Sequence, residues 1–283
     1  MRKTVILPNS AKDSGYECTA LVVKELQKYG AEICMSEEHR ESGITEGVTY
    51  ISDGLLDGAD VIIVLGGDGS ILDAARMAYS RSIPVLGINL GRVGYMASIE
   101  KDELSLLGRL FDGNYSIDER AMLEARIIRG GEIILVTSPA LNEIVLTRGT
   151  LSRMLDIELE CNSEFAGEYR ADGLIFATPT GSTAYSMSAG GPVLDPGLEA
   201  VSVTPICPHY LSSRPIVFSD GAEFTASSKD GEEWYMTVDG KDNFTLFPND
   251  KVKIAISAYT TRLIDIKKNA FYHVLRKKTT EKQ

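Results

Sequence analysis

At 283 residues the chain is long enough for two domains and a large core, and a content of 43% hydrophobic and 24% charged residues describes a globular protein. Its formal net charge of -11 excludes nonspecific attraction to nucleic acid or to an anionic membrane surface, because both need a basic face. An anionic ligand must therefore be met by local donors.

The first apolar run, Thr4 to Leu7, is closed by Pro8 and predicts a strand; it is too brief for a signal peptide or a membrane span, so the expected location is cytoplasmic. A helix follows over Cys18 to Tyr29, then strands around Glu32 to Met35, Val61 to Leu65 and Val85 to Ile88, with a helix over Ile71 to Tyr79. That alternation predicts a Rossmann-like parallel α/β domain. From about Ile117 the runs shorten and alternate, as in Leu123 to Ile128, Ile133 to Thr137, Glu143 to Leu146, Asp156 to Glu160 and Leu174 to Ala177. An antiparallel, β-sandwich-like domain is expected there. Turns at Arg129-Gly130-Gly131-Glu132 and Asp230-Gly231-Glu232 join these runs, the first with the glycines that a tight hairpin needs. A last helical piece, Phe271 to Lys278, leads into a Lys-rich tail, its cations read as solvated or paired with acidic surface. The expected division is an α/β domain over 1–116, joined by 266–283, and a β-rich domain over 117–265.

Val61-Ile62-Ile63-Val64-Leu65 is wholly apolar and mostly β-branched, as a parallel strand covered on both faces should be, and it runs straight into Gly66-Gly67-Asp68-Gly69-Ser70. Ligands of open α/β sheets bind at the carboxyl ends of strands, and helix N-termini attract phosphate. Glycines such as Gly69 let backbone N–H groups approach phosphate oxygens, while Asp68 offers an acceptor for a hydroxyl proton. The competing reading is that Asp68 or Ser70 only caps the helix.

Asn89-Leu90-Gly91-Arg92-Val93-Gly94-Tyr95-Met96 follows another buried strand and opens a second glycine turn on the same edge. No Walker lysine-hydroxyl pair follows a glycine loop, and the three-glycine fingerprint of Rossmann dehydrogenases is missing. Further along, Thr178, Thr180, Ser182, Thr183, Ser186 and Ser188 place six hydroxyls within eleven positions, a density that argues against core and for sugar or phosphate oxygens. Caps and turns would use the same residues. Tyr185 stands where it either stacks a base or simply packs. Asn142-Glu143 interrupts an apolar run, Leu141 to Leu146, so the pair either binds a base and ribose or faces water at a sheet edge. Cys18, Cys34, Cys161 and Cys207 are far apart without Cys-x-x-Cys spacing and read as reduced, buried thiols. His39, His209 and His273 assemble neither a metal cluster nor a nucleophilic triad.

Together GGDGS, NLGRVGYM, the NE pair, RADG at Arg170 to Gly173, TPTGSTAYSMSAGGP at Thr178 to Pro192, PICPHYLSSRP at Pro205 to Pro215 and VDG at Val238 to Gly240 resemble the NAD kinase family in order and spacing. The resemblance spans roughly residues 60 to 278; Ser70 and Ala171 are its small departures, and little of it lies before residue 50. It implies transfer of a terminal phosphoryl group from ATP or polyphosphate, with Mg²⁺, to the 2′-hydroxyl of the adenosine ribose of NAD. In that reading Asp68 is the general base. Asn142 and Glu143 hold the adenosine. Thr180 and the run Thr183, Ala184, Tyr185, Ser186, Met187 and Ser188 surround it and its phosphates. Arg170 with Asp172 takes the nicotinamide half, and Arg153 is a weaker phosphate contact. No protein-borne metal ligands are expected, and a homodimer or homotetramer is. Two other classes remain beside it: a GGDG-type lipid or sugar kinase, which the TPTGSTAYS element argues against, and a nonenzymatic NAD(H)-binding regulator, which would not need Asp68.

Overall fold

In the computed structural model, which describes residues 3–91, 94–149, 154–210, 212–268 and 270–280, the early apolar runs form a parallel sheet. Strands β1 (Lys3–Pro8), β2 (Glu32–Ser36), β3 (Val48–Ile51), β4 (Val61–Gly66) and β5 (Val85–Asn89) lie in the order β3-β2-β1-β4-β5. Every pairing among them is parallel. This is a Rossmann-like order, and it reverses direction between β1 and β4. The short β6 (Ile99–Glu100) runs parallel to β5. All six residues of β4 are buried, as its unbroken apolar composition requires.

Helix α1 (Glu17–Gln27) turns Val22, Val23 and Leu26 onto a core shared with Ile6, Ile33, Ile63 and Leu86. Helix α2 (Asp68–Ala78) buries Ile71, Ala74 and Ala75. It sits so close to β5 that a Cβ on Gly87 would lie 2.4 Å from Ile71 Cδ1, so this strand position has room only for glycine. A short helix, α3 (Gly108–Phe111), completes the early part. The end of the chain returns here: Ser98 Oγ donates to the Ile264 carbonyl at 2.6 Å and Arg109 to the Ile266 carbonyl at 3.0 Å.

The chain divides into two units, Met1–Glu119 with Thr261–Gln283, and Arg120–Thr260. It passes between them within β7 (Ser116–Arg129) and β18 (Lys251–Asp265). In the second unit β7 pairs with β8 (Glu132–Val136), and their turn has φ of +60° at Gly130 and +89° at Gly131, the hairpin geometry expected from the sequence. One sheet has the order β14-β13-β12-β9-β16-β17, from β9 (Glu143–Arg148), β12 (Gly173–Ala177), β13 (Ala200–Ile206), β14 (Ile216–Ser219), β16 (Trp234–Val238) and β17 (Asp242–Leu246). The other contains β11 (Glu164–Ala171), β10 (Leu155–Cys161), β15 (Phe224–Ser228) and the first part of β18 in that order. All these pairs are antiparallel. Inward residues of both sheets, among them Leu146, Phe176, Trp234 and Met236 on one and Ile157, Leu159, Phe224 and Ile254 on the other, form a single core, which makes the unit a sandwich. The remaining helices are α4 (Tyr185–Ser188) and α5 (Ala270–Thr280).

Two expectations need correction. Cys207 is exposed, at a φ of +45° beyond the end of β13, whereas only Cys34 is fully buried; all four thiols are free. On α5, Lys278 is not merely solvated, because its ammonium stands 4.2 Å from the centre of the Tyr95 ring. Among the described residues no helix is long and apolar enough to cross a membrane.

Candidate active site

The turn after β4 is shaped by close approach. Gly67 occupies the N-cap of α2 in extended geometry and no side chain caps the helix, so neither Asp68 nor Ser70 is a cap. Asp68 is the first helical residue. Its carboxylate reaches the loop after β5, where it accepts the backbone N–H of Tyr95 at 2.9 Å and of Met96 at 3.1 Å. A Cβ on Gly94 would lie 2.1 Å from Asp68 Oδ1, so that loop approaches the carboxylate only because Gly94 has no side chain. Each carboxylate oxygen keeps a second lone pair, and nothing stands within 4 Å of the side-chain position of Gly69. Burial, and after it the charge of Asp68, pushes the Tyr95 phenol above its ordinary value of 10.0.

Ser70 looks the other way. Its hydroxyl accepts Asn9 Nδ2 at 2.9 Å and tethers the loop that follows β1. That loop holds Lys12, which the sequence reading missed: its ammonium lies 2.7 Å from where a Cβ on Gly67 would be. Nothing in the pattern around Asn9-Ser10-Ala11-Lys12 marks it; the signal is that the loop leaves a parallel strand next to β4. Arg92 and Arg153 lie outside the described residues.

In the second unit, Asn142 and Glu143 are 8% and 7% exposed where β9 begins. β9 runs between β12 and β16, so the pair is not at a water-facing edge. Asp239, at the end of β16 with a φ of +49°, anchors this start. Its carboxylate accepts the backbone N–H of Leu141 and Asn142 at 2.8 Å each and of Glu143 at 3.1 Å. Glu143 Oε2 is buried without a hydrogen-bond partner. Burial, reinforced by the Asp239 charge and opposed by the Tyr185 backbone N–H, raises the Glu143 carboxyl to about 7.

The hydroxyl-rich loop packs on this start of β9. Thr178 Oγ1 donates to the Leu141 carbonyl at 2.6 Å, and a Cβ on Gly181 would lie 2.1 Å from the Asn142 carbonyl oxygen. Against expectation, much of the loop is core. Thr178, Thr180, Ser182 and Ser186 are buried. Ser182 donates to the Pro179 carbonyl and accepts Leu194 N–H, Ser186 pairs with Thr204, and Thr180 accepts from buried Arg120 at 3.0 Å. Thr178 and Ser182 thus satisfy backbone groups of a tightly folded loop, and Thr180 and Ser186 pair with side chains beside it. What they present outward is Tyr185, Met187 and Ser188, exposed, with Thr183 and Ala184 partly so.

Arg170 and Asp172 are not part of that cluster. In the β9–β12 register Glu143 faces Ala177 while Thr147 faces Gly173, which puts Asp172 at the other end of the strands. The four steps from Glu143 to Thr147 correspond to about 13 Å at roughly 3.3 Å per residue. Asp172 is bound there by Arg148 Nε at 2.8 Å, a partner the sequence did not reveal, and Arg170 stands 3.7 Å from Asp156.

A Rossmann-like sheet that ends in a glycine turn with an oriented carboxylate, on the same chain as a sandwich that sets a buried amide and a buried, protonatable carboxyl beside an exposed tyrosine, fits a nucleotide-handling phosphotransferase. Residues 5–115 match the family model of the ATP-NAD kinase N-terminal domain and residues 141–266 that of the ATP-NAD kinase C-terminal domain, and the chain belongs to this family. It is 39% identical to the NAD kinase of Natranaerobius thermophilus, over 99% of this chain and 98% of that protein. With the NAD kinase of Thermoanaerobacter sp. the identity is 37% over all of both chains. Two solved structures share the fold. Yeast NADH kinase complexed with NADH superimposes with a TM-score of 0.90 at 22% identity, covering 100% of this chain and 89% of that one. An NAD kinase from Archaeoglobus fulgidus in complex with ATP does so with a TM-score of 0.78 at 24% identity, over 100% of both chains.

Proposed function

We propose that the chain transfers the terminal phosphoryl group of ATP, or of polyphosphate, to the 2′-hydroxyl of the adenosine ribose of NAD, giving NADP. The observation that carries this reading is the state of Asp68: a carboxylate at a strand's carboxyl end, held by Tyr95 and Met96 N–H instead of capping its helix. Phosphoryl transfer is mostly positioning and electrostatic stabilisation. Asp68 accepts the hydroxyl proton as the ribose oxygen attacks. Asn142 and Glu143 hold the adenosine, Thr183 to Ser188 and Thr180 its surroundings, and Arg170 with Asp172 the nicotinamide half. The reading includes a homodimer or homotetramer in which a second copy completes each site, supported by Arg170 and Asp172 belonging to the β-rich unit and not to the α/β unit that carries Asp68. The protein is read as cytoplasmic.

Mg²⁺ is implied as well. Among the described residues no three His, Cys, Asp or Glu side chains gather to hold a metal. Mg²⁺ is ordinarily held by one or two carboxylates and the substrate's own phosphates, so in this reading the cation would enter with the donor and offset its charge.

Purified protein given NAD, Mg²⁺ and either donor should form NADP. NAD lacking only the adenosine 2′-hydroxyl should bind and accept nothing; a phosphorylated product from that analogue would show the wrong acceptor. Two substitutions probe the residues. Asn142→Ala removes a buried hydrogen-bonding group, typically about 1–3 kcal/mol, so the KM for NAD should rise by about ten-fold or more. An unchanged KM in a folded variant would leave Asn142 a purely structural role. Gly94→Ala forces Asp68 out of place, and misplacement of a catalytic group by about 1 Å typically costs about 10²-fold. That loss should fall on kcat with the KM for NAD nearly unchanged, and it should vanish when Asp68 is already asparagine. Equal losses in both backgrounds would show that Gly94 acts on something other than the carboxylate.

A further inference from the structure

The sheet order β3-β2-β1-β4-β5 leaves a crevice where the chain reverses, between the carboxyl ends of β1 and β4. GGDGS forms one wall. The other is Asn9-Ser10-Ala11-Lys12, to which no role has been given. Asn9 shapes it: its Oδ1 accepts the N–H of Ala11 and of Lys12, each at 3.2 Å, while its Nδ2 donates to Ser70 on α2. Lys12 is thereby directed back across the crevice. Its ammonium lies 2.7 Å from the side-chain position of Gly67 and 3.8 Å from that of Gly91, so it spans the glycine turns that follow β4 and β5.

That placement is not electrostatically neutral. The chain carries 40 acidic residues, and an exposed lysine has ample choice of carboxylates, yet Lys12 makes no ion pair among the described residues. Asp68 is engaged with Tyr95 and Met96 instead. The ammonium also stands beside the first turn of α2, the positive end of that helix, where a cation is disfavoured unless an anion lies between. Anchored loop, two side-chain-free turns and an unpaired cation together supply backbone access and positive charge at the turn that carries Asp68.

We propose that Lys12 binds the terminal phosphates of the phosphoryl donor. This rests on the reading that GGDGS serves phosphoryl transfer, and it identifies a local cation for the polyanion in a chain whose overall charge would repel it. Lys12 is a binding residue for the donor and leaves NAD untouched.

The test uses full-length protein with ATP and Mg²⁺. A charge-assisted hydrogen bond is worth about 1.5–3 kcal/mol, so Lys12→Met should raise the KM for ATP by about 10- to 100-fold. The KM for NAD should stay within about two-fold, and Lys12→Arg should recover most of the donor affinity because a guanidinium also contacts phosphate. Binding of a fluorescent ATP analogue without NAD reads the same interaction independently of turnover, and the Met variant should weaken it to a similar degree. A folded Lys12→Met protein that binds the analogue and uses ATP as the parent does would overturn the proposal, as would equal losses in the Met and Arg variants. Failure of the proposed reaction reads differently: no NADP would form from the parent protein, while the binding measurement would still decide the role of Lys12.

Discussion

Asp68→Asn is expected to lower turnover by roughly 10²–10⁴-fold while the KM for NAD changes little, because general bases typically contribute that much and the amide keeps the shape. Both carboxylate oxygens of Asp68 accept backbone N–H groups, from Tyr95 and Met96. An amide has only one acceptor oxygen, so the Asn side chain keeps one of these bonds and turns its NH₂ toward the other donor. The orientation of the loop is thus slightly loosened while the proton acceptor is removed. Helix α2 itself should be undisturbed, since Asp68 does not cap it and the helix is held by Ile71, Ala74 and Ala75 against the sheet. Steady-state kinetics with NAD and each donor, with circular dichroism to confirm folding, decide the matter. Turnover close to that of the parent would remove Asp68 from the chemistry and return the GGDGS turn to a role in binding alone.

What the sequence disclosed about this site follows from the range of the forces involved. β4 was legible because five consecutive apolar residues leave a strand no solvent face, and the glycine turn was legible because it follows at once. β3 was not. Its four residues, Val48-Thr49-Tyr50-Ile51, are all partly or fully exposed, and a short edge strand has no periodicity to display. The hydroxyl-rich loop was found, but its burial was not foreseen: Thr178 and Ser182 are buried and bonded to backbone carbonyls, and Ser186 is buried against the Thr204 hydroxyl, a use of serine and threonine that composition cannot distinguish from ligand binding. Partners distant in sequence were invisible. Asp239 meets the N–H groups of Leu141 to Glu143 across almost a hundred residues, Arg148 binds Asp172 across the β9–β12 ladder, and Lys12 is brought to Gly67 by strand order alone. Each depends on which strands become neighbours, and no local pattern records that.

Glu143 should make stability fall as pH rises through the mildly acidic range. Its carboxyl is raised from the ordinary 4.5 to about 7, chiefly by burial and then by the Asp239 charge. The sign follows directly. Below about pH 4.5 the group is protonated in both folded and unfolded chains, and its full contribution is present. Between 4.5 and about 7 the unfolded chain releases the proton while the folded one keeps it, so the unfolded state gains. Above about 7 both are ionised and the difference levels off, having reached ~3 kcal/mol. Glu143→Gln keeps the shape without a titrating proton, so the variant should match the parent near pH 4.5 and exceed it in stability by up to ~3 kcal/mol near pH 7. Trp234, the single tryptophan, is fully buried in the core of the same unit and reports its unfolding by fluorescence. Taking the parent curve against the variant curve cancels the titrating groups that do not interact with Glu143. A difference that stays flat from pH 4.5 to 7 would mean that Glu143 is ionised in the folded protein throughout, and that its buried Oε2 finds a donor at the start of β9 after all.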